Sequence, residues 1–137
     1  MSECIFCKIA KREIPATILY EDETAVAFLD IAPIIKGHVL VIPKNHFDPI
    51  TQTPDEVLAH LHVVAKKLAQ AQMDALDADG VNIMQNNGKA AGQEVSHLHI
   101  HVIPRFSNDS HHWNWNPVSY KDSEEMSQFA LALQNQI

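Results

Sequence analysis

Histidines 97, 99 and 101 alternate with apolar residues in the run His97-Leu98-His99-Ile100-His101-Val102-Ile103-Pro104-Arg105. In extended backbone, side chains at i, i+2 and i+4 point to one face. The three imidazoles then line one surface, while Leu98, Ile100 and Val102 line the other. On a helix the same three would scatter around the axis. Imidazole titrates near neutral pH and serves as base, acid, nucleophile or metal ligand. A neutral ring attacks phosphorus well, and a neighbouring ring can supply a proton to the leaving group. Crowding favours such a split, because like charges resist sharing one face. A metal site is the competing chemistry. Spacing limits it: His97 and His101 are separated by roughly 13 Å of extended backbone at ~3.3 Å per residue, and the pair can hardly share one ion. The run invites a division of labour, with one outer histidine serving a different task.

Other groups carry weaker signals. Cys4 and Cys7 form a C-x-x-C pair. Taken alone it fits two buried small apolar groups, a redox pair without its usual βαβ setting, or half a zinc site that needs two more ligands. The segment Asn86-Asn87-Gly88-Lys89-Ala90-Ala91-Gly92-Gln93 is either a plain hairpin connection or a loop whose amides approach phosphate, which glycine permits. His111-His112-Trp113-Asn114-Trp115 reads as a surface or dimer-edge segment, with substrate contact from a partner subunit as the alternative. His60 and His62 lie in a helical stretch with no companion motif and are read as non-catalytic.

These groups need a scaffold. Residues 4–12 suit a helical turn or two. Thr17 to Tyr20 and Thr24 to Asp30 read as strands around the acidic turn Glu21-Asp22-Glu23. Ile31 to Gly37 is a connector, and His38 to Ile42 a strand ending at Pro43. A helix is predicted from Thr53 to about Asp74, with Thr53 as N-cap, Pro54 in the first turn and Glu56 completing a capping box. Leu58, Leu61, Ala65 and Leu68 supply its apolar stripe. Val81 to Asn86 is a further strand, the histidine strand runs from about Ser96 to Ile103, and Phe106 to Tyr120 has no period. A last helix follows Asp122, with Met126, Phe129, Ala130 and Leu133 on one face. Sequential strands with short connections imply an α+β fold in one domain spanning residues 1–137: an antiparallel sheet of about five strands with two main helices packed on it.

The chain has 137 residues, 46% hydrophobic and 20% charged, with ten Lys+Arg against seventeen Asp+Glu. A net charge of −7 disfavours broad nucleic-acid or anionic-membrane binding but allows a small nucleotide, which needs only local positive charge. No apolar run approaches the ~20 residues of a membrane span, and no basic-then-apolar leader opens the chain. A cytoplasmic setting with reduced thiols is expected.

The histidine run with Pro104-Arg105 resembles the signature of the histidine-triad (HIT) family of nucleotide hydrolases and transferases. Cys4-Ile5-Phe6-Cys7-Lys8-Ile9, Ile14-Pro15-Ala16, Tyr20-Glu21-Asp22, Phe28-Leu29-Asp30-Ile31, Gly37-His38-Val39-Leu40-Val41-Ile42-Pro43-Lys44 and Ala91-Gly92-Gln93 fit in family order, covering roughly residues 3–106. The nearest branch looks like the bacterial-type nucleoside phosphoramidases. The resemblance implies a HIT-like fold, a homodimer in which two sheets adjoin, and hydrolysis of purine nucleoside monophosphate derivatives at the α-phosphorus. It implies His99 as the nucleophile that becomes nucleotidylated, His101 at the phosphate or leaving group, and His38 bordering the phosphate pocket. Asp30 matches the residue that takes ribose hydroxyls; Phe6, Ile9, Phe28 and Ile31 match the walls around the base. Asn86, Gly92 and Gln93 fall on phosphate or leaving-group positions. Glu94 departs from the pattern, standing where a small hydroxyl residue is common, and a carboxylate there favours an amine over a phosphate leaving group. Relatives that keep both cysteines imply a structural zinc held by Cys4, Cys7, His46 and His97. Rival readings are a dinucleoside polyphosphate hydrolase, suggested by Pro104-Arg105, a nucleotide-binding interaction module, and a zinc hydrolase that uses the triad.

Overall fold

The computed structural model describes residues 3–137. Strands β1 (Ile18–Glu21), β2 (Ala25–Leu29), β3 (Val39–Pro43), β4 (Gly80–Gln85) and β5 (Ile100–Arg105) form one sheet in the order β1-β2-β3-β5-β4. All neighbours are antiparallel. The central strands β2 and β3 are almost continuously apolar because both of their faces are covered. Helices α1 (Ile5–Ala10), α2 (Asp55–Leu76) and α3 (Ser123–Gln134) complete the fold.

Register divides the sheet into two faces. Ala27 pairs with Val41, and Val41 with Ile100. This row joins Leu61, Val64, Ala65 and Leu68 of α2 in the larger core. One residue along, Phe28 pairs with Leu40, Leu40 with His101, and His101 with Met84. Phe28 and Leu40 pack with Phe6 and Ile9 of α1 in the smaller core. A strand's period of two puts the helix-packed core on one face and the histidines on the other.

Three sequence expectations are corrected. Thr53 does not cap α2; its hydroxyl donates to the Pro49 carbonyl at 3.0 Å, closing a 3-10 turn, and Pro54 is the N-cap without a side-chain bond. A local bond has outcompeted the capping box. The histidine strand begins at Ile100, so His97 lies in the bend and His99 in the short segment before it, and only His101 lies on a strand. The last helix forms with Asp122 accepting from the Glu125 N–H, as a good N-cap does. Its apolar side, however, is not packed on the sheet: Met126, Phe129 and Leu133 are 52%, 56% and 65% exposed.

Candidate active site

Hydrogen-bond partners fix which nitrogen of each histidine carries the proton, because a carbonyl can only accept and a backbone N–H can only donate. His99 Nδ1–H donates to the His97 carbonyl at 2.8 Å. In the neutral ring this leaves Nε2 as the free lone pair. His38 Nδ1 accepts the Ile34 N–H at 3.1 Å, so His38 holds its proton on Nε2. That proton goes to His101 Nδ1, 2.9 Å away. His101 therefore carries its own proton on Nε2. The face presents one lone pair, on His99, beside one N–H donor, on His101, with ring centroids 5.0 Å apart.

Burial sharpens these states. His38 is 1% exposed and His99 5% exposed. Burial is the main cause that lowers His101 to about 4, with the adjacent His99 and His38 adding to it. Burial likewise lowers His38, against the pull of Asp30. The Asp30 carboxylate stands 3.7 Å from His38 Nε2 and accepts the Ala32 N–H at 2.9 Å. Phe6 meets the His99 ring edge-on at 5.1 Å and Phe28 at 5.6 Å. Phe6, Ile9 and Phe28 pack together in a buried apolar cluster. Ile31, the fourth residue expected there, is fully exposed.

The glycine-bearing segment closes on itself beside the histidines. Gln93 Oε1 accepts the Gly88 N–H at 2.7 Å, and Gln93 Nε2 donates to Asp48 at 2.7 Å and to the Val95 carbonyl at 2.9 Å. Gly92 takes φ +93, a left-handed conformation that glycine adopts at little cost. A cavity of about 700 Å³ is lined by Asp48, Lys89, Gly92, Gln93, Glu94 and Ser96. It abuts the run-in to the histidines, although the rings themselves are not on its wall. Sequence reasoning missed Asp48, which anchors Gln93 and carries no motif of its own. Asn86 lies between β4 and this cavity; its carbonyl accepts from Gln85.

His97 turns away from the other two. Its Nε2–H donates to the buried Pro43 carbonyl at 2.9 Å, and its Nδ1 faces Cys4 Sγ at 3.3 Å and Cys7 Sγ at 3.5 Å. His46 Nδ1 lies 3.4 Å from Cys7 Sγ. The donor atoms of Cys4, Cys7, His46 and His97 all fall within 4.8 Å of one another. Helix α1 builds half of this cluster: Cys4 caps it, its sulfur accepting the Cys7 N–H at 3.4 Å. Two thiols and two imidazoles match a closed tetrahedral zinc site, and a histidine bonded to a carbonyl through its other nitrogen is the usual support for such a ligand. Zinc fits this donor set. Burial lowers His97 to about 4 and, with Cys4, raises the Cys7 thiol. Asp30, His38 and His101 also lie within 4.8 Å of one another. The hydrogen-bond chain leaves His38 no free lone pair, so this second group is not a metal site.

Arg105 is committed elsewhere. Its guanidinium pairs with Asp109 at 2.8 and 3.0 Å, donates to Asn82 at 2.7 Å and reaches the His111 carbonyl. Trp113 Nε1 donates to the same Asn82 oxygen at 3.0 Å. This clamp ties the tail to β4; Trp115 beyond it is 85% exposed. His60 pairs with Asp22 at 2.6 Å on the β1–β2 turn, a structural contact away from the triad. Burial would raise Asp22, but bonds from Tyr20, the Thr24 and Ala25 amides and His60 outweigh it and hold the carboxyl well below its usual range.

The model of the HIT domain family matches residues 11–108. The adenosine 5'-monophosphoramidase of Saccharomyces cerevisiae is 49% identical over 102 residues, covering 74% of this chain and 62% of that protein. A crystal structure of a HIT family member from Bacillus subtilis superposes with a TM-score of 0.91 at 37% identity, covering 98% of this chain and 97% of that one. A zinc-bound histidine triad family protein from Mycobacterium smegmatis superposes with a TM-score of 0.79 at 39% identity, covering 96% of this chain and 98% of that one.

Proposed function

We infer that this chain, which belongs to the HIT domain family, is a nucleotide hydrolase that cleaves purine nucleoside phosphoramidates through a covalent His99 intermediate. The observation that carries the reading is the hydrogen-bond chain from Ile34 through His38 to His101, beside the His97-bound His99. It leaves an attacking lone pair and an N–H donor side by side. His99 Nε2 bonds to the α-phosphorus as the bond to the leaving nitrogen breaks. The neutral His101 Nε2–H hydrogen-bonds that nitrogen, which takes a proton from solvent and departs as the amine. Water then attacks phosphorus, releases the nucleoside monophosphate, frees Nε2 and gives up a proton to solvent. The base lies against Phe6, Ile9 and Phe28, the ribose hydroxyls on Asp30, and the leaving group toward Asn86, Gly92 and Gln93. An apolar slot gives purines preference without tight selectivity.

Cys4, Cys7, His46 and His97 would hold zinc. Bound there, it supplies structural cross-linking of α1 to the histidine run and no catalysis, since all four donors close the site. The engagement of Arg105 with Asp109, Asn82 and His111 removes the guanidinium that the dinucleoside polyphosphate reading would use. A homodimer in which two sheets adjoin remains part of the reading.

The test is hydrolysis of an adenosine phosphoramidate by wild-type and His99→Ala protein, both verified as folded. A loss of roughly three orders of magnitude, about 4 kcal/mol of barrier, is expected. Equal rates would overturn the nucleophile; absence of wild-type hydrolysis would overturn the substrate class.

A further inference from the structure

We propose that Gln72 is a positioning residue for the His38–His101 pair, a role that rests on the hydrolytic reading above for its effect on rate. The apolar stripe of α2 runs through Leu58, Leu61, Ala65 and Leu68, and its next position is Gln72. A polar side chain takes the place of an apolar one where the stripe nears the end of α2. It is 4% exposed, and its Oε1 is buried with no partner among the described residues. A leucine here would fill the same core without stranding an oxygen.

The amide nitrogen provides what leucine cannot. Gln72 Nε2 donates one proton to the Gly37 carbonyl at 3.0 Å and the other to the Val102 carbonyl at 2.9 Å. Gly37 immediately precedes His38, and Val102 immediately follows His101. Both N–H bonds leave one planar group, so the two backbones are held at a fixed separation. That separation carries the 2.9 Å bond between His38 Nε2 and His101 Nδ1. The Gly37 connection arrives as a loop, which has freedom of its own; β5 is already fixed by pairing to β3 and β4. Gln72 ties the looser partner to the firmer one from the opposite face of the sheet, without touching substrate.

The comparison is Gln72→Leu against Leu68→Ala, a core truncation on the same helix that touches neither carbonyl. Gln72→Met, closer in shape and equally unable to donate, takes its place should the leucine variant not fold. Each protein is assayed well below its melting temperature with an adenosine phosphoramidate, and the His38 Nε2–H proton is followed by NMR. A displacement of a fraction of an ångström predicts about tenfold loss in kcat for Gln72→Leu with KM within about twofold. The His38 resonance shifts or broadens in the same variant. Leu68→Ala loses at least as much stability yet keeps kcat and that resonance. An unchanged kcat and resonance in Gln72→Leu, or equal losses in Leu68→Ala, would overturn the role. If wild-type protein does not turn over phosphoramidate, the hydrolytic reading fails, and the resonance alone decides whether Gln72 holds the pair.

Discussion

Gly37 immediately precedes His38 and faces the end of the long helix, and replacing it with alanine gives a prediction with calculable parts. Its φ is +99°, and an added Cβ would stand 2.7 Å from Leu76 Cδ1 and 3.3 Å from Pro104 Cγ. Left-handed backbone costs a residue with a Cβ about 1–2 kcal/mol. Crowding a packed site costs about 1–3 kcal/mol, here toward the low end because Leu76 is 44% exposed and can swing aside. Reduced freedom of the unfolded chain returns about 0.4–1 kcal/mol. The net loss is about 2 kcal/mol. For 137 residues at about 2.1 cal/mol/K each, this lowers Tm by roughly 7 °C. The dihedral and the collision separate in a double-mutant cycle. Leu76→Ala in the Gly37→Ala background relieves only the collision, giving a favourable coupling of about 1 kcal/mol. The assay is urea unfolding of the four proteins at one concentration. Wild-type stability for Gly37→Ala, or strict additivity with Leu76→Ala, would refute the geometry on which this reasoning stands.

Protonation of His101 sets an acid limit. Its folded value of about 4 lies below the ordinary 6.5, so the unfolded chain binds more protons between those values and stability rises with pH across that window. The contribution is present above pH 6.5 and is lost as pH falls through 4; it is roughly 3 kcal/mol, and unfolding of His101→Gln at pH 7 and 4.5 should show a correspondingly smaller drop than wild type. Elemental analysis should find about one zinc per wild-type chain and lose it in Cys7→Ser, while chelation that leaves the protein folded should spare phosphoramidate turnover; turnover abolished in folded, chelated protein would make the metal catalytic. Glu94→Gln should shift kcat/KM by about threefold toward anionic leaving groups over cationic amines, an effect that fades with salt because Glu94 is exposed; an unchanged ratio would remove it from the leaving-group site.

The parts of the site that announce themselves in sequence are those whose spacing matches a backbone period. His99 and His101 stand beside one another, with ring centroids 5.0 Å apart, whereas the bend at residues 95–97 turns His97 to the cysteines. Length argued against one ion shared by His97 and His101, and their donor atoms fall into different groups. Thr53 shows the limit of local rules: the capping motif was present, but a bond to Pro49 used the hydroxyl first. The amphipathic period of α3 gave the helix without indicating what its apolar side meets. Asp48 and Gln72 were unreadable because their partners are separated from them in sequence by 45 residues for Gln93 and by 35 and 30 residues for Gly37 and Val102. Only the break in the α2 stripe at Gln72 hinted at one of them.

Around His101, β5 sends alternate residues to opposite faces of the sheet, and the consequences of substitution should alternate with them. Changes at Ile100 and Val102 fall on the α2 side and would register as lost protein. Changes at His101, on the opposite side, would register as lost turnover in protein that survives. The two traits can therefore be altered almost independently within a single strand. A lineage could reshape what this molecule cleaves by editing alternate letters while leaving untouched the ones that keep it folded.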